Sequence, residues 1–185
     1  MGNIILTMQL SLDNVVSEEH RWMMLSEEIF EHYLEYYNTI DTIIIGRNSY
    51  SSLAQHWQQA ENSTNDLERA IAKRMNDIPK MVISRSEVEL VWRNSQQIVV
   101  KDDRSFAQEI EKLKKQVNQI SVESGVKTWQ SFIKFNLFDE LWLLVHPVIV
   151  SRGERLFTYA DKLQSLHLKN TKTYKNGVVS LHYKK

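Results

Sequence analysis

The sequence predicts an α/β protein with a mixed, mainly parallel central sheet, flanked by helices and closed by a C-terminal antiparallel hairpin. Three observations predict it. Short continuous apolar runs such as Thr42-Ile43-Ile44-Ile45 have the length and β-branched content of strands buried on both faces. Between them lie longer segments with apolar residues at helical spacing, which is the alternation of βαβ units. Near the C-terminus, two alternating runs flank Asn176-Gly177, a dipeptide suited to a tight hairpin. The chain of 185 residues is long enough for one domain with a substantial core, and neither a linker nor an internal repeat divides 1–185.

The elements follow in order. Ile4 to Leu10 reads as a strand, ended by the turn-forming Asp13-Asn14. Ser26, followed by Glu27 and Glu28, signals a helix start, and Ile29, Phe30, Tyr33, Leu34 and Tyr37 share one face of that helix. The strand Thr42 to Ile45 closes at Gly46, and a helix is expected over Ser49 to His56. The polar stretch Gln58 to Asn65 reads as a surface loop, and Leu67 to Met75 as a helix. Pro79 introduces the strand Lys80 to Ile83. Two short β-like runs follow, Glu89 to Trp92 and Gln97 to Val100. Asp102-Asp103 caps a helix with Phe106, Ile110, Leu113 and Val117 on its inner face. Ile120 to Val122 is a strand leading through Gly125 to a helix carrying Trp129, Phe132 and Ile133. Leu141 to Val145 is a strand stopped by Pro147, and Leu166 to Tyr174 pairs with Val178 to Tyr183.

Composition excludes several classes. The 23 basic and 23 acidic side chains balance, so no electrostatic footprint for nucleic acid is present. Zero cysteine removes disulfides, thiolate metal sites and a cysteine nucleophile, which fits a reducing cytoplasm. The six histidines include no pair at i, i+3 or i+4, so no metal site is expected. The N-terminal apolar stretch is broken by Thr7 and Gln9 and reads as a strand rather than a signal peptide. No run approaches the ~20 apolar residues of a membrane span. Glycine is scarce, 5 in the chain where average usage supplies about 13, so each one marks a constrained turn.

In open parallel sheets ligands bind beyond the carboxyl ends of the strands, and three such ends carry suitable chemistry. Gly46-Arg47-Asn48-Ser49 combines a glycine, a guanidinium and a helix start, all suited to phosphate, although a strand-to-helix turn with a solvated arginine is the plainer reading of this motif alone. Ser84-Arg85-Ser86 places two hydroxyls around an arginine, which suits a phosphate monoester; a polar turn with an exposed arginine explains it equally. Glu123-Ser124-Gly125-Val126-Lys127 links a strand to a helix and could seat an anion, without GxGxxG or a P-loop. Asp13 is a polar group that could reach a substrate or simply make a turn. Glu27 and Glu28 could bind a heterocycle or serve the helix dipole.

In order, these pieces resemble the dihydrofolate-reductase-like superfamily, and more closely its bacterial branch related to the reductase domain of the riboflavin-biosynthesis deaminase-reductase. Ser11-Leu12-Asp13-Asn14 resembles that branch's SLDG. Asp41 to Tyr50 resembles DxxLxGRxTY, and Asn76 to Ser86 resembles NxxPKxVxSRT. Leu137 to Leu141, Pro147 to Gly153 and Gly177 to Tyr183 continue the match over essentially the whole chain. The resemblance implies an NADPH-dependent reductase that transfers a hydride to a small pterin- or pyrimidine-like substrate. It implies that Gly46, Arg47 and Ser49 bind cofactor phosphate, and that Ser84, Arg85 and Ser86 hold the adenosine 2′-phosphate. Ser124, Gly125 and Val126 stand at the family's Gly-Gly turn near the pyrophosphate. Asp13 would sit beside the nicotinamide as the catalytic candidate, with Trp22 and Glu27 on the substrate side. Relatives pair as homodimers, to which the apolar Leu141 to Val145 could contribute, unless that strand is core.

The departures carry information. One glycine of the Gly-Gly turn is replaced, whichever register is chosen, and Asn14 and Ser151 replace two more. A side chain at the pyrophosphate turn could obstruct the cofactor. The family's lysine four residues before SLDG falls at Thr7, which argues against a ribityl-phosphate substrate. The alternative is a non-catalytic nucleotide-binding or scaffold protein that retains the fold.

Overall fold

The computed structural model describes residues 1–158 and 163–185. Its center is an eight-stranded sheet in the order β4-β3-β2-β5-β1-β6-β8-β7. The strands are β1 (Asn3–Ser11), β2 (Thr42–Gly46), β3 (Lys80–Ser84), β4 (Ser95–Val99), β5 (Gln119–Val122), β6 (Glu140–His146), β7 (His167–Thr173) and β8 (Val179–Lys184). From β4 to β6 every pairing is parallel; β6–β8 and β8–β7 are antiparallel. The helices are α1 (Glu27–Asn38), α2 (Arg47–Ala60), α3 (Asp66–Asp77), α4 (Asp103–Lys114) and α5 (Val126–Lys134), with a short 3-10 turn at Glu19–Arg21.

Two cores lie on opposite faces of the sheet. One joins Phe106, Ile110 and Leu113 of α4 and Trp129, Phe132 and Ile133 of α5 to Ile4, Leu6, Ile44 and Val122. The other joins Ile29 and Tyr37 of α1, Tyr50 and Ala54 of α2, and Ile71 and Met75 of α3 to Ile5, Ile43 and Ile45. Ile43, Ile44 and Ile45 thus divide between the two faces, as the continuous apolar run requires. Leu141 to Leu144 are buried in β6 between β1 and β8, so this strand belongs to the interior.

Three boundaries depart from the sequence reading. The segment from Glu89 to Trp92 is not a strand, because Trp92 turns inward, 2% exposed, and its indole N–H donates to Asn76. Helix α2 begins at Arg47 and runs to Ala60, which shortens the polar loop that follows. At the hairpin, Gly177 alone takes the left-handed conformation, at φ 85°, and its N–H donates to Tyr174 O at 2.9 Å. The turn is therefore a glycine-closed loop rather than the two-residue form in which both central residues have positive φ. Capping follows the sequence at Asp102, which forms a capping box with Ser105, whereas Ser26 occupies the N-cap of α1 without a side-chain bond.

Candidate active site

A cavity of about 650 Å³ opens at the carboxyl ends of β1 and β5, under α1, α2 and α3. Its wall is aromatic and apolar, with Phe30, Tyr33 and Tyr37 from α1, Leu53 and Trp57 from α2, and Met8 and Met23. Its polar groups come from β1 (Thr7, Gln9), from the 3-10 turn (Glu19, His20), from α2 (Ser49, Ser52, His56), from α3 (Glu68) and from the turn Glu123-Ser124-Gly125. The apolar spacing that buries α1 against the sheet also brings Phe30, Tyr33 and Tyr37 to one side of the cavity. Thr7 and Gln9, two apart in β1, point to the same face.

Glu123 is the most unusual group here. It is partly exposed, in the cavity wall, and its Oε1 accepts from Thr7 Oγ1 at 2.8 Å and from Ser121 Oγ at 2.5 Å. Ser121 Oγ in turn accepts from the Tyr36 hydroxyl at 2.8 Å. Burial raises the Glu123 carboxyl above the usual glutamate range, against the hydrogen bonds from Ser121, Thr7 and Tyr37 that pull it down. Burial first, and then the Glu123 charge, holds the hydroxyls of Tyr33, Tyr36 and Tyr37 well above the ordinary tyrosine range.

Behind Tyr33 lies a second chain of polar groups. Gln9 Nε2 donates to the Tyr33 hydroxyl, and Gln9 Oε1 is 2.5 Å from His146 Nε2. The other imidazole nitrogen, Nδ1, accepts the Met24 N–H at 3.0 Å. His146 is fully buried at the end of β6, and burial lowers its pKa to about 4.

At the cavity rim the N-termini of α2 and α5 meet. Neither N-cap, Gly46 or Gly125, contributes a side-chain cap, so each helix presents its first N–H groups toward the junction. Ser124 Oγ accepts the Gly46 N–H at 2.9 Å, and a Cβ on Gly125 would lie 3.0 Å from Ser49 Oγ. Arg47, on the first turn of α2, donates to Ser86 Oγ and, at 3.2 Å, to Glu87 O. Ser84 Oγ accepts from Gln97 at 2.6 Å and donates to Ser86 O at 2.5 Å. Arg85 is exposed, 4.0 Å from Asp103 across the loop.

Of the residues singled out in the sequence, Ser49, Ser124 and Gly125 line the cavity, Gly46 and Val126 adjoin it, and Arg47 bonds to Ser86 in the turn after β3 that also carries Ser84 and Arg85. Asp13, Trp22 and Glu27 are not among the lining residues. Asp13 accepts from Val150 N at 3.0 Å, Ser151 N at 2.9 Å and Ser11 Oγ at 2.7 Å. The Val150 hydrogen bond is the largest cause of a pKa of about 2, so this carboxylate holds the 148–155 segment against β1 and carries no proton near neutrality. Trp22 is buried, with its indole N–H on Ser17 O at 2.9 Å and its ring edge-on to His146 at 5.5 Å. Glu27 is exposed in the first turn of α1. Conversely, Thr7, Gln9, Tyr33, Tyr37 and Glu123 were not singled out as site residues. The available signals were the two polar residues inside the apolar β1 and the carboxylate directly before the Ser-Gly turn.

Among the described residues, no helix is long and apolar enough to cross a membrane. The chain is 30% identical over 184 residues to the uncharacterized protein YyaP of Bacillus subtilis (strain 168), covering 97% of this chain and 93% of that protein. It superposes with a TM-score of 0.65 on a pyrimidine reductase-like protein from Corynebacterium diphtheriae, at 13% identity, covering 99% of this chain and 91% of that one. The TM-score is 0.66 against the diaminohydroxyphosphoribosylaminopyrimidine deaminase/5-amino-6-(5-phosphoribosylamino)uracil reductase of Thermotoga maritima. That match has 12% identity and covers 99% of this chain and 56% of that one. The family model of the RibD C-terminal domain matches residues 3–180, from β1 into the last strand and through every element that shapes the cavity, so the chain belongs to the RibD C-terminal domain family.

Proposed function

We propose that the protein is an NADPH-dependent reductase acting on a small, phosphate-free heterocycle bound in the cavity between α1 and α2. The observation that carries this reading is the junction of two helix N-termini without side-chain caps, α2 and α5, at the rim of an aromatic cavity with a half-buried carboxyl in its wall. Backbone N–H groups at paired helix starts suit a diphosphate, and Arg47 extends the positive field outward. Arg85 and the Ser86 hydroxyl then offer a guanidinium and a hydroxyl for a 2′-phosphate, while Ser84, buried and bonded to Gln97 and Ser86 O, supports that turn. The dinucleotide, when bound, supplies the hydride.

The chain's own residues would do the remaining work. Phe30, Tyr33, Tyr37 and Trp57 hold a planar ring and exclude water. Glu123 retains its proton to higher pH than an ordinary glutamate and is the group suited to protonate the substrate atom that gains charge. The lining residues include Glu19, Glu68 and Glu123 but no lysine or arginine. An anionic substituent would therefore find no fixed positive side chain there, which favors a neutral substrate over a sugar phosphate. The reductase named for the Thermotoga relative acts on a phosphoribosylamino-uracil; here the proposed substrate retains the ring and lacks the phosphate.

Titration with NADPH and NADH tests the reading. Binding of NADPH at micromolar concentration, at least ~10-fold tighter than NADH and lost in Arg85→Ala, is the expected result. No binding of either dinucleotide at millimolar concentration rejects it.

A further inference from the structure

The chain His146–Gln9–Tyr33 has a polarity that its own atoms fix. The Met24 backbone N–H is an obligatory donor, and it points at His146 Nδ1 from 3.0 Å. Nδ1 must therefore be the unprotonated nitrogen, which places the single hydrogen of the neutral imidazole on Nε2. That hydrogen is donated to Gln9 Oε1 at 2.5 Å. With its oxygen so occupied, the Gln9 amide presents only N–H to Tyr33, whose hydroxyl oxygen accepts. The Tyr33 proton is left to find an acceptor elsewhere, and Tyr33 lines the cavity.

The surroundings hold this arrangement in place. His146 is fully buried and Trp22 covers its ring edge-on at 5.5 Å. Burial keeps the imidazole neutral, with a pKa near 4. Tyr33 is stacked on Tyr37 at 5.8 Å and tilted against Trp142 at 5.4 Å, which limits the ring's freedom to turn its hydroxyl away. Glu123 stands in the same cavity wall as the second protic group.

We infer that Tyr33 is a substrate-binding hydrogen-bond donor, aimed at an acceptor oxygen or nitrogen of the heterocycle, and that Gln9 and His146 are positioning residues that set the direction of its O–H. The inference rests on the proposed reductase site for its substrate class and on the Met24–His146–Gln9–Tyr33 geometry for its polarity. It also separates the two protic groups: Glu123 is the acid, and Tyr33 recognizes an acceptor without giving up its proton.

The test uses the polarity. In Gln9→Glu, the new carboxylate accepts from both His146 and Tyr33, so the Tyr33 proton is drawn out of the cavity while shape is retained. The probe is 5,6-diaminouracil, a phosphate-free ring with two carbonyl acceptors, with binding measured by calorimetry on the full chain in the presence of NADPH. The expected result is a loss of about five- to tenfold in affinity in Gln9→Glu and in Tyr33→Phe alike, the worth of one hydrogen bond. The double variant should be no weaker than either single one. Thermal melts confirm that each variant is folded, and nitrogen NMR of the histidine rings should show His146 neutral with its hydrogen on Nε2. A hydrogen on Nδ1, additive losses, or a Gln9→Glu variant that binds like the wild type overturns the inference. If the wild type binds NADPH but not the probe, the assignment of Tyr33 fails and the reductase reading stands. If NADPH itself does not bind, the reductase reading and the substrate assignment that rests on it both fail, and the NMR result judges only the polarity.

Discussion

Ser124 Oγ accepts the backbone N–H of Gly46 at 2.9 Å, tying the turn after β5 to the turn after β2. Ser124 occupies the family's glycine turn, where the sequence alone suggests that a side chain blocks the cofactor's approach. Here the hydroxyl folds back onto the neighboring turn, and neither Ser124 nor Val126 is among the residues with positive φ. The turn does not require glycine at either position. Val126 instead opens α5 and packs against the core. Val126→Gly should therefore cost about 1–2 kcal/mol, lowering Tm by roughly 2–5 °C, from lost packing and helix entropy. NADPH affinity should be unchanged. A variant that binds NADPH more tightly in calorimetric titration would show that the valine crowds the diphosphate.

Gly46 is the opposite case. Its φ of −77° is open to any residue, so conformation does not demand glycine. Space does: a Cβ would collide with Thr128 Oγ1 and lie 2.8 Å from Ser124 Oγ. Gly46→Ala is expected to destabilize by about 2 kcal/mol or more as overpacking, measurable by urea unfolding. Thr128→Ala removes the colliding hydroxyl and should recover at least half of that loss in the double variant. If Thr128→Ala recovers nothing, the steric account of Gly46 is wrong.

The fold was legible because its strongest signals are local and redundant. Ile43, Ile44 and Ile45 can satisfy both faces of a sheet only at its interior, and Asp102 caps α4 as its position before the amphipathic run demands. The segment from Glu89 to Trp92 misled because β-like composition cannot reveal that Trp92 is pulled into the interior by Asn76, 16 residues away. The phosphate-suited strand ends were legible for the same local reason, since Gly46, Arg47 and Ser49 lie together in the chain. Glu123 and Tyr33 were not, because their significance depends on distant partners. Thr7 and Glu123 meet across 116 positions, and Gln9 and His146 across 137. Spacing within an element cannot report such pairs. Asp13 shows the converse, a turn carboxylate whose partners Val150 and Ser151 make it a structural clamp.

Glu123 carries opposite consequences for stability and activity. A raised folded pKa on an acid means that the native state holds its proton more tightly than the unfolded chain, so the group's contribution to stability falls as pH rises through the window above the ordinary value of 4.5. Glu123→Gln keeps an acceptor oxygen for Thr7 and Ser121 but has no ionization to suppress. The variant should be at least as stable as the wild type at pH 8, and any difference should shrink as pH falls through the ordinary glutamate range. Reductase turnover should fall by at least ~100-fold with NADPH affinity intact, since the proton source is gone. A variant that retains turnover removes Glu123 from the chemistry.

His146 predicts an acid sensitivity of the opposite sign. Burial depresses its pKa from 6.5 to about 4, so the native state binds its proton less readily than the unfolded chain does. The resulting stability is fully present above pH 6.5, is lost as pH falls toward 4, and totals about 3 kcal/mol. Protonation at Nδ1 would also set an N–H against the Met24 N–H, releasing the segment that places Met23 and Leu25 in the cavity wall. His32 and His182 are also lowered by burial, so the measurement is a difference. Urea unfolding of the wild type and of His146→Gln at pH values from 7 to 4 should give a shallower pH slope for the variant. Asp13 does not confuse the comparison, because its hydrogen bonds are lost only as pH falls from 3.8 toward about 2. Equal slopes in the two proteins would place the His146 proton, and with it the polarity of the Gln9–Tyr33 bond, outside this account.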